Sequence, residues 1–287
     1  MLVPAGDEAM FVKNGAGKLK RVLMSPPSYL EAKPINAIAS QYVGQPFDKA
    51  RMKEEYESLK AIYRKEGIQV EELPADPGRP NCVFARDFGG CIREGYILGR
   101  YHITLREKET ADYKEKMKAL GVPLVCQVKE GHFEGGDFIF LDEKTLAIGM
   151  VARSDEAGVE EIRRAVEPLG YTVLSVPADP VYLHVDLLFN LVAPHLALAY
   201  RKALPEEFLE EVKKRDIEMI DVPDDRVMHL GSNVQALGDG KVVALASNHA
   251  VNVLMERKGL TVIEADITEI CKSGGGPHCM TFPLERE

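Results

Sequence analysis

Residues 273–287 read SGGGPHCMTFPLERE. Consecutive glycines let a backbone turn sharply and approach another group closely. The apolar run that follows them reads as a final strand. The stretch therefore delivers Cys279 to the mouth of that strand. A lone cysteine is ordinarily a small buried hydrophobe. Cys279 gains a second reading, as a nucleophile, because similar openings recur upstream.

Residues 83–98 read as two strands around a Gly-rich turn, followed by a charged helix over 107–120 and a strand over 123–128. The pattern returns as hairpin 133–150 (turning at 142–144), helix 155–169 and strand 172–176, then as hairpin 183–200, helix 205–214 and strand 218–222. A fourth copy is hairpin 233–247, helix 248–258 and strand 261–265, its turn marked by Gly238-Asp239-Gly240. With a strand start over 277–283, the openings fall near residues 83, 133, 184, 233 and 278, a period of about 50. The fifth unit has only its first strand at the C-terminus. Its missing pieces stand at the other end: strand 18–24, helix 48–66 and strand 69–73. That helix places Met52, Tyr56, Leu59, Ile62 and Tyr63 on one face. Four complete units and one divided between the termini predict an α/β fold of five hairpin-helix-strand blades. The N- and C-terminal strands would close its ring and remove the loose edge of an open array. No linker interrupts the pattern, so 1–287 is expected to be a single domain.

Composition narrows the partners. The chain has 287 residues, 45% hydrophobic and 28% charged, with a net charge of -9. That is enough to bury a large core. The acidic balance argues against a nucleic-acid or anionic-membrane surface. The first ten residues lack a basic-then-apolar signal, and no apolar run approaches the ~20 residues of a membrane helix. Five cysteines without paired spacing point to a reducing cytoplasm rather than a disulfide framework. No zinc spacing, phosphate-binding loop or dinucleotide fingerprint occurs.

Reactive residue types gather at the unit openings: Asp87 in VFARD, Glu134 and Asp137 in FEGGD, His184 and Asp186 in LHVD, and Cys279 in GGPHC. Each has a bland alternative. Asp87 reads equally as a turn acid beside Arg86, the FEGGD acids as solvated loop carboxylates, and His184 as a strand histidine with Asp186 on the same face. Matched repeat positions would nevertheless line one pocket. The chemistry that fits is thiolate attack on a planar cationic carbon. Buried carboxylates such as Asp87 and Asp186 need a cation, and a guanidinium offers one with paired N–H donors. A bound guanidinium or a protonated His184 would lower the Cys279 pKa. His184 would protonate the leaving amine and then deprotonate water, with Glu134 orienting it.

With these residues in hand, the chain resembles the guanidino-group modifying enzymes of the pentein fold. These are five-bladed α/β propellers that include arginine deiminases, dimethylargininases, arginine dihydrolases and amidinotransferases. VFARD, FEGGDFIF, GMVARS, LHVDLLFNLV and GGGPHCMTFPLERE carry the resemblance, the last being most similar to arginine deiminases. It implies Cys279 as nucleophile, His184 as general acid/base with Glu134 beside it, and Asp87 and Asp186 as the guanidinium clamp. It also implies Arg153, with Arg106 as a second, as receptors of a substrate carboxylate. The implied reaction is arginine to citrulline and ammonia through a covalent amidino-enzyme, without metal or cofactor. The family is commonly dimeric or larger, which implies a homo-oligomer.

Three departures stand out. Only a short segment separates Asp87 from Glu134, where longer deiminases carry a helical insertion. Asp186 stands where dimethylargininases usually have lysine, which disfavours their activity. Pro34-Ile35-Asn36 is similar to a dihydrolase stretch, which makes Asn36 a substrate-binding candidate, but Ala37 replaces its proline. The alternatives are a dihydrolase or other guanidino-acid hydrolase, an amidinotransferase, and a non-catalytic binding protein such as a ribosome anti-association factor. Cys82, Cys91, Cys126 and Cys271 read as packing residues, and His132 and His278 flank the site without an assigned role.

Overall fold

The computed structural model describes residues 11–287. Its first strand, β1 (Leu19–Met24), leads through a loop to α1 (Lys49–Lys65) and β2 (Gln69–Glu72). Three units of one form follow: β3 (Gly89–Ile92), β4 (Gly95–Leu98), α2 (Glu109–Ala119) and β5 (Leu124–Gln127); β6 (Phe138–Phe140), β7 (Thr145–Met150), α3 (Glu156–Val166) and β8 (Thr172–Pro177); β9 (Phe189–Ala193), β10 (Leu196–Ala199), α4 (Glu206–Lys214) and β11 (Glu218–Asp221). A one-turn helix, α5 (Asp224–Val227), precedes β12 (Gln235–Gly238), β13 (Lys241–Leu245), α6 (His249–Arg257) and β14 (Thr261–Ala265), and β15 (Phe282–Arg286) ends the chain.

These strands make five three-stranded sheets. In each, a hairpin pair runs antiparallel, and the strand after the helix lies parallel to the hairpin's second strand. A helix is what a parallel return needs, because a tight turn can join only antiparallel neighbours. The fifth sheet keeps the rule across the chain ends, with β15 antiparallel to β1 and β1 parallel to β2. Gly238, Asp239 and Gly240 all have positive φ, as the hairpin signal required.

Apolar faces drive the packing. Helix α1 buries Met52, Tyr56, Leu59 and Tyr63, while Ile62 stays half-buried. Its N-terminus is capped by Asp48, whose carboxylate accepts from the Arg51 N–H at 3.0 Å. Glu55 on the same helix is buried, and it accepts backbone N–H groups of Thr268, Glu269 and Ile270. This ties α1 to the segment that leads to Cys279.

Three local expectations are corrected. The glycines at 89 and 90 begin β3, and the turn lies at 93–94. A Cβ on Gly89 would stand 1.9 Å from the Ile97 carbonyl oxygen, so this pair of strands needs glycine there. The last strand starts at Phe282, leaving Cys279 in the turn before it. His184 and Asp186 do not share a strand face. Asp186 lies in a 3-10 turn, Val185–Leu187, that begins directly after His184. With about three residues per turn, side chains two apart diverge where a strand would align them.

Candidate active site

The acidic signatures occupy equivalent places. Asp87, Asp137 and Asp186 each lie in a short 3-10 turn, Ala85–Phe88, Gly135–Asp137 or Val185–Leu187, just before the first strand of a hairpin. Such turns present side chains inward while the following strand is held in its sheet. A cavity of about 30 Å³ is lined by Cys279, His184, Glu134, Asp87, Arg153 and Arg106, with Asn36 among its other walls.

His184 is the centre of the arrangement. Its Nε2 meets Glu134 Oε2 at 3.0 Å, and its Nδ1 lies 3.9 Å from Asp87 Oδ1. Burial disfavours its charge, but Asp87, the hydrogen bond to Glu134 and Asp137 outweigh that and raise its pKa to about 10. Glu134 moves the other way. Burial would raise it, yet His184, Arg153 and Arg106 lower it to about 2. The pair is therefore an imidazolium–carboxylate pair in the free protein. Asp137 stands behind it, accepting from Ser154 Oγ at 2.7 Å and from the Val185 N–H at 2.8 Å, and burial lifts it to about 7.

Two backbone features hold His184. Leu183 has φ 64 and ψ -67, and the His184 N–H donates to the Tyr182 carbonyl at 2.7 Å. This is a γ-turn of the positive-φ kind, rare for a branched residue and costing on the order of 1–3 kcal/mol. Gly136 packs under the imidazole, where a Cβ would fall 2.4 Å from Nδ1.

Asp87 is buried and ion-paired with Arg106, whose guanidinium also donates to Glu109 and to the Asn81 and Phe84 carbonyls. Arg106 is thus held by protein partners and positions Asp87. The other Asp87 oxygen, Oδ1, is buried without a hydrogen-bond partner. Such an orphan acceptor is uncommon in a folded protein, and the cavity gives it room for a donor.

Cys279 is buried with its Sγ 3.8 Å from Asp186 Oδ2. Burial first, then Asp186 and Asp87, push its pKa well above the ordinary thiol value, so the free protein carries a thiol. Asn233 donates to that sulfur from Nδ2 at 2.9 Å, and its Oδ1 accepts the His278 N–H at 3.0 Å. Sequence reading marked residue 233 only as a hairpin opening. Its place one repeat before Cys279 was the available signal.

The remaining candidates are placed as follows. Arg153 lines the cavity, donates to the Ile35 carbonyl and lies 3.6 Å from Glu134. Asn36 uses Oδ1 to accept from the Ala39 N–H at 2.7 Å and Nδ2 to reach the Ser273 carbonyl at 3.1 Å, which joins the 35–42 loop to the Cys279 segment. Asp186 contacts the cavity only through the sulfur. Its carboxylate binds His278 Nδ1 at 2.9 Å and faces a second cavity. His132 pairs with Asp155 away from the site. Asp87, Glu134 and His184 have ligand atoms within 4.8 Å of one another and could together hold a cation. Protonated as it is, His184 offers no lone pair to a metal ion, so the two carboxylates suit an organic cation better.

The chain is 28% identical over 285 residues to the uncharacterized protein YkgA of Bacillus subtilis (strain 168), covering 99% of this chain and 98% of that one. It is 28% identical over 264 residues to an arginine deiminase of Clostridium perfringens (strain SM101 / Type A), covering 76% of this chain but only 64% of the deiminase. The N-terminal domain of ArgZ, an arginine dihydrolase from the ornithine-ammonia cycle in Cyanobacteria, superposes with a TM-score of 0.83 over 94% of this chain and 98% of that one. At 22% identity that likeness establishes the pentein α/β fold alone. The chain spans only 40% of the longer AgrE, which superposes with a TM-score of 0.84 at 22% identity over 94% of this chain. Residues 28–286 match the family model described as N,N dimethylarginine dimethylhydrolase, eukaryotic, and the chain belongs to that family, within the guanidino-group modifying enzymes of the pentein fold.

Proposed function

We propose that the protein hydrolyses a guanidino compound through Cys279, with arginine, giving citrulline and ammonia, as first substrate. The observation that carries this reading is the unpartnered Asp87 Oδ1 in a cavity shared by the Cys279 thiol and the His184–Glu134 pair. A guanidinium there donates an N–H to Oδ1 and sets its carbon toward Sγ. Its positive charge offsets the carboxylates that hold Cys279 as a thiol, so substrate binding itself favours the thiolate, and the Sγ proton passes to water as the guanidinium enters. The sulfur then forms a bond to the guanidine carbon. Protonated His184 gives its proton to the leaving nitrogen, and the amine departs as the tetrahedral centre collapses to a planar amidino-enzyme. Neutral His184 next takes a proton from water, whose oxygen bonds to the same carbon. Collapse expels the Cys279 sulfur, which takes up the proton of the added hydroxyl and returns to the thiol, and leaves a ureido product.

Asp186, in contact with Sγ, steadies the carbon attached to it. Arg153 exchanges the Ile35 carbonyl for a substrate carboxylate, and Asn36 moves with the loop that carries Ile35. The same proposal takes 1–287 as one catalytic domain with its five sheets as blades of a closed ring.

A second reading, hydrolysis of N,N-dimethylarginine with loss of dimethylamine, is favoured by the family match. The Asp87 Oδ1 acceptor argues the other way, since a carboxylate suits an unsubstituted nitrogen that donates N–H. Mass spectrometry of products from arginine, dimethylarginine and other guanidino acids, with and without glycine or ornithine as acceptor, separates these. Ureido product without an acceptor supports hydrolysis. Product only with an acceptor means amidino transfer, and no product from any guanidine, with Cys279 unreactive to haloacetamidine, removes the enzymatic reading.

A further inference from the structure

A second cavity, of about 50 Å³, is lined by Arg86, Asp186, Gln235, His278 and Arg286, with Asn14, Asn190 and mainly apolar residues completing its walls. It is separated from the proposed guanidine site by the Asp186–Cys279 contact. Both arginines are buried. Arg86 donates to Gln235 Oε1 at 2.9 Å and, over 3.4 Å, to the His278 carbonyl. Arg286 donates to the Gly17 carbonyl at 2.7 Å and the Ala236 carbonyl at 2.9 Å. All four acceptors are neutral. Among the described residues no carboxylate lies within the 4.0 Å of an ion pair from either guanidinium. Asp186 is the one acid in the lining, and its Oδ2 already binds His278.

Two cations against one engaged carboxylate leave a net positive charge away from water, which is costly without a partner. We propose that this cavity binds a small monovalent anion of the halide class between Arg86 and Arg286. The electrostatics agree. Burial, then Arg86, push Arg286 down to about 9, and burial, then Arg86, push His278 down to about 4, so that histidine is neutral and supplies no further cation. A guanidinium keeps its proton in proteins, so relief comes from a counter-ion. A water needs roughly 10–15 Å³ of such space, so the cavity holds an ion together with one or two waters. Anion binding there does not require the proposed guanidine chemistry.

The test is thermal unfolding of the full chain at constant ionic strength, with chloride stepwise replacing the bulky gluconate anion. The expected result is a saturable rise of the midpoint, about 5 °C at a hundred-fold excess over Kd, lost in Arg286→Met. Crystals grown in bromide should show an anomalous peak between the two guanidinium groups, a readout that needs no variant. Superimposable melts in the two salts with no bromide peak in the cavity overturn the proposal. So does a chloride effect of the same size in Arg286→Met.

Discussion

Asn233→Ala should make Cys279 harder to ionise, by an amount the geometry fixes. The wild-type amide donates to Sγ at 2.9 Å, and a hydrogen bond to a charged acceptor contributes about 1.5–3 kcal/mol. At 1.36 kcal/mol per pKa unit, removing it should raise the thiol pKa by ~1–2 units. Below that pKa the thiolate fraction falls ~10–100-fold. A more basic thiolate is also more nucleophilic, with a Brønsted slope of about 0.4–0.5, so the observed alkylation rate should drop only ~3–16-fold. The assay is the pH profile of alkylation by 2-chloroacetamidine and by neutral iodoacetamide, with the modified cysteine located by mass spectrometry. Location matters because Cys126 is half-buried, and its pKa, raised by burial and then by Glu161 to about 11, gives it a reactive limb at high pH.

Asn233→Asp keeps the acceptor for the His278 N–H but replaces the donor by a carboxylate. It should raise the Cys279 pKa further than alanine does, without loosening the turn. If the Asn233→Ala profile superimposes on wild type while the melting temperature is unchanged, the amide–sulfur bond is not a feature of the working site.

Other perturbations test the surroundings of His184. Gly136→Ala places a methyl group 2.4 Å from Nδ1, and a displacement near 1 Å in a catalytic group costs about 10²-fold. Steady-state turnover should therefore fall by that order, and a variant within twofold of wild type would show that the imidazole is not the acid. Leu183→Gly should be more stable than Leu183→Ala by ~1 kcal/mol or more in urea melts, since only glycine accepts φ 64 without strain; equal stabilities would mean the turn is unstrained. In pH-dependent melts the His184–Glu134 pair sets two limits. His184, raised to about 10 from 6.5, contributes stability that is complete below pH ~6.5 and is lost as pH rises through 10, at most ~5 kcal/mol. Glu134, lowered to about 2 from 4.5, contributes stability present above pH ~4.5 and lost as pH falls through 2. His184→Gln should flatten the alkaline side, and an unchanged alkaline slope would contradict the imidazolium assignment. Asp87→Asn leaves Arg106 short of one carboxylate and should weaken binding of any guanidine at least tenfold by calorimetry, whereas unaltered affinity would place the guanidinium elsewhere.

The repeat was legible because it is written in contacts as well as in spacing. Glu134 and His184 are 50 residues apart and hydrogen-bonded; Asp137 and the Val185 N–H are 48 apart, and Asn233 and Cys279 are 46 apart. A chain that returns to equivalent positions every ~50 residues brings one unit's opening against the next. Five sheets and the pairing of β1 with β15 followed from the same count. Helix boundaries came within a residue or two, except after α3. There Pro168 and Gly170 convert the last turn to a 3-10 segment, Glu167–Leu169, ending in a left-handed glycine.

Local turn geometry was not legible, and it decides which acid faces which cavity. A strand would have pointed His184 and Asp186 together; the 3-10 turn sends the imidazole to Glu134 and the carboxylate to His278. Asp186 is thereby shared between two environments, touching Sγ while facing the cavity of Arg86 and Arg286. The thiol thus lies between acids, those around His184 on one side and Asp186 on the other, with two guanidinium groups behind Asp186. Composition could not disclose that order, because it counts Arg86 and Arg106 alike. Arg106 is locked by Asp87 and Glu109, while Arg86 acts on Asp186 and Cys279 from behind with no ion pair of its own among the described residues. A cation so placed favours the thiolate that the acids in front oppose. The ionisation of Cys279 therefore depends on both sides of the loop that carries it, and under the proposed reaction a guanidinium entering on one side would tip a balance set from the other.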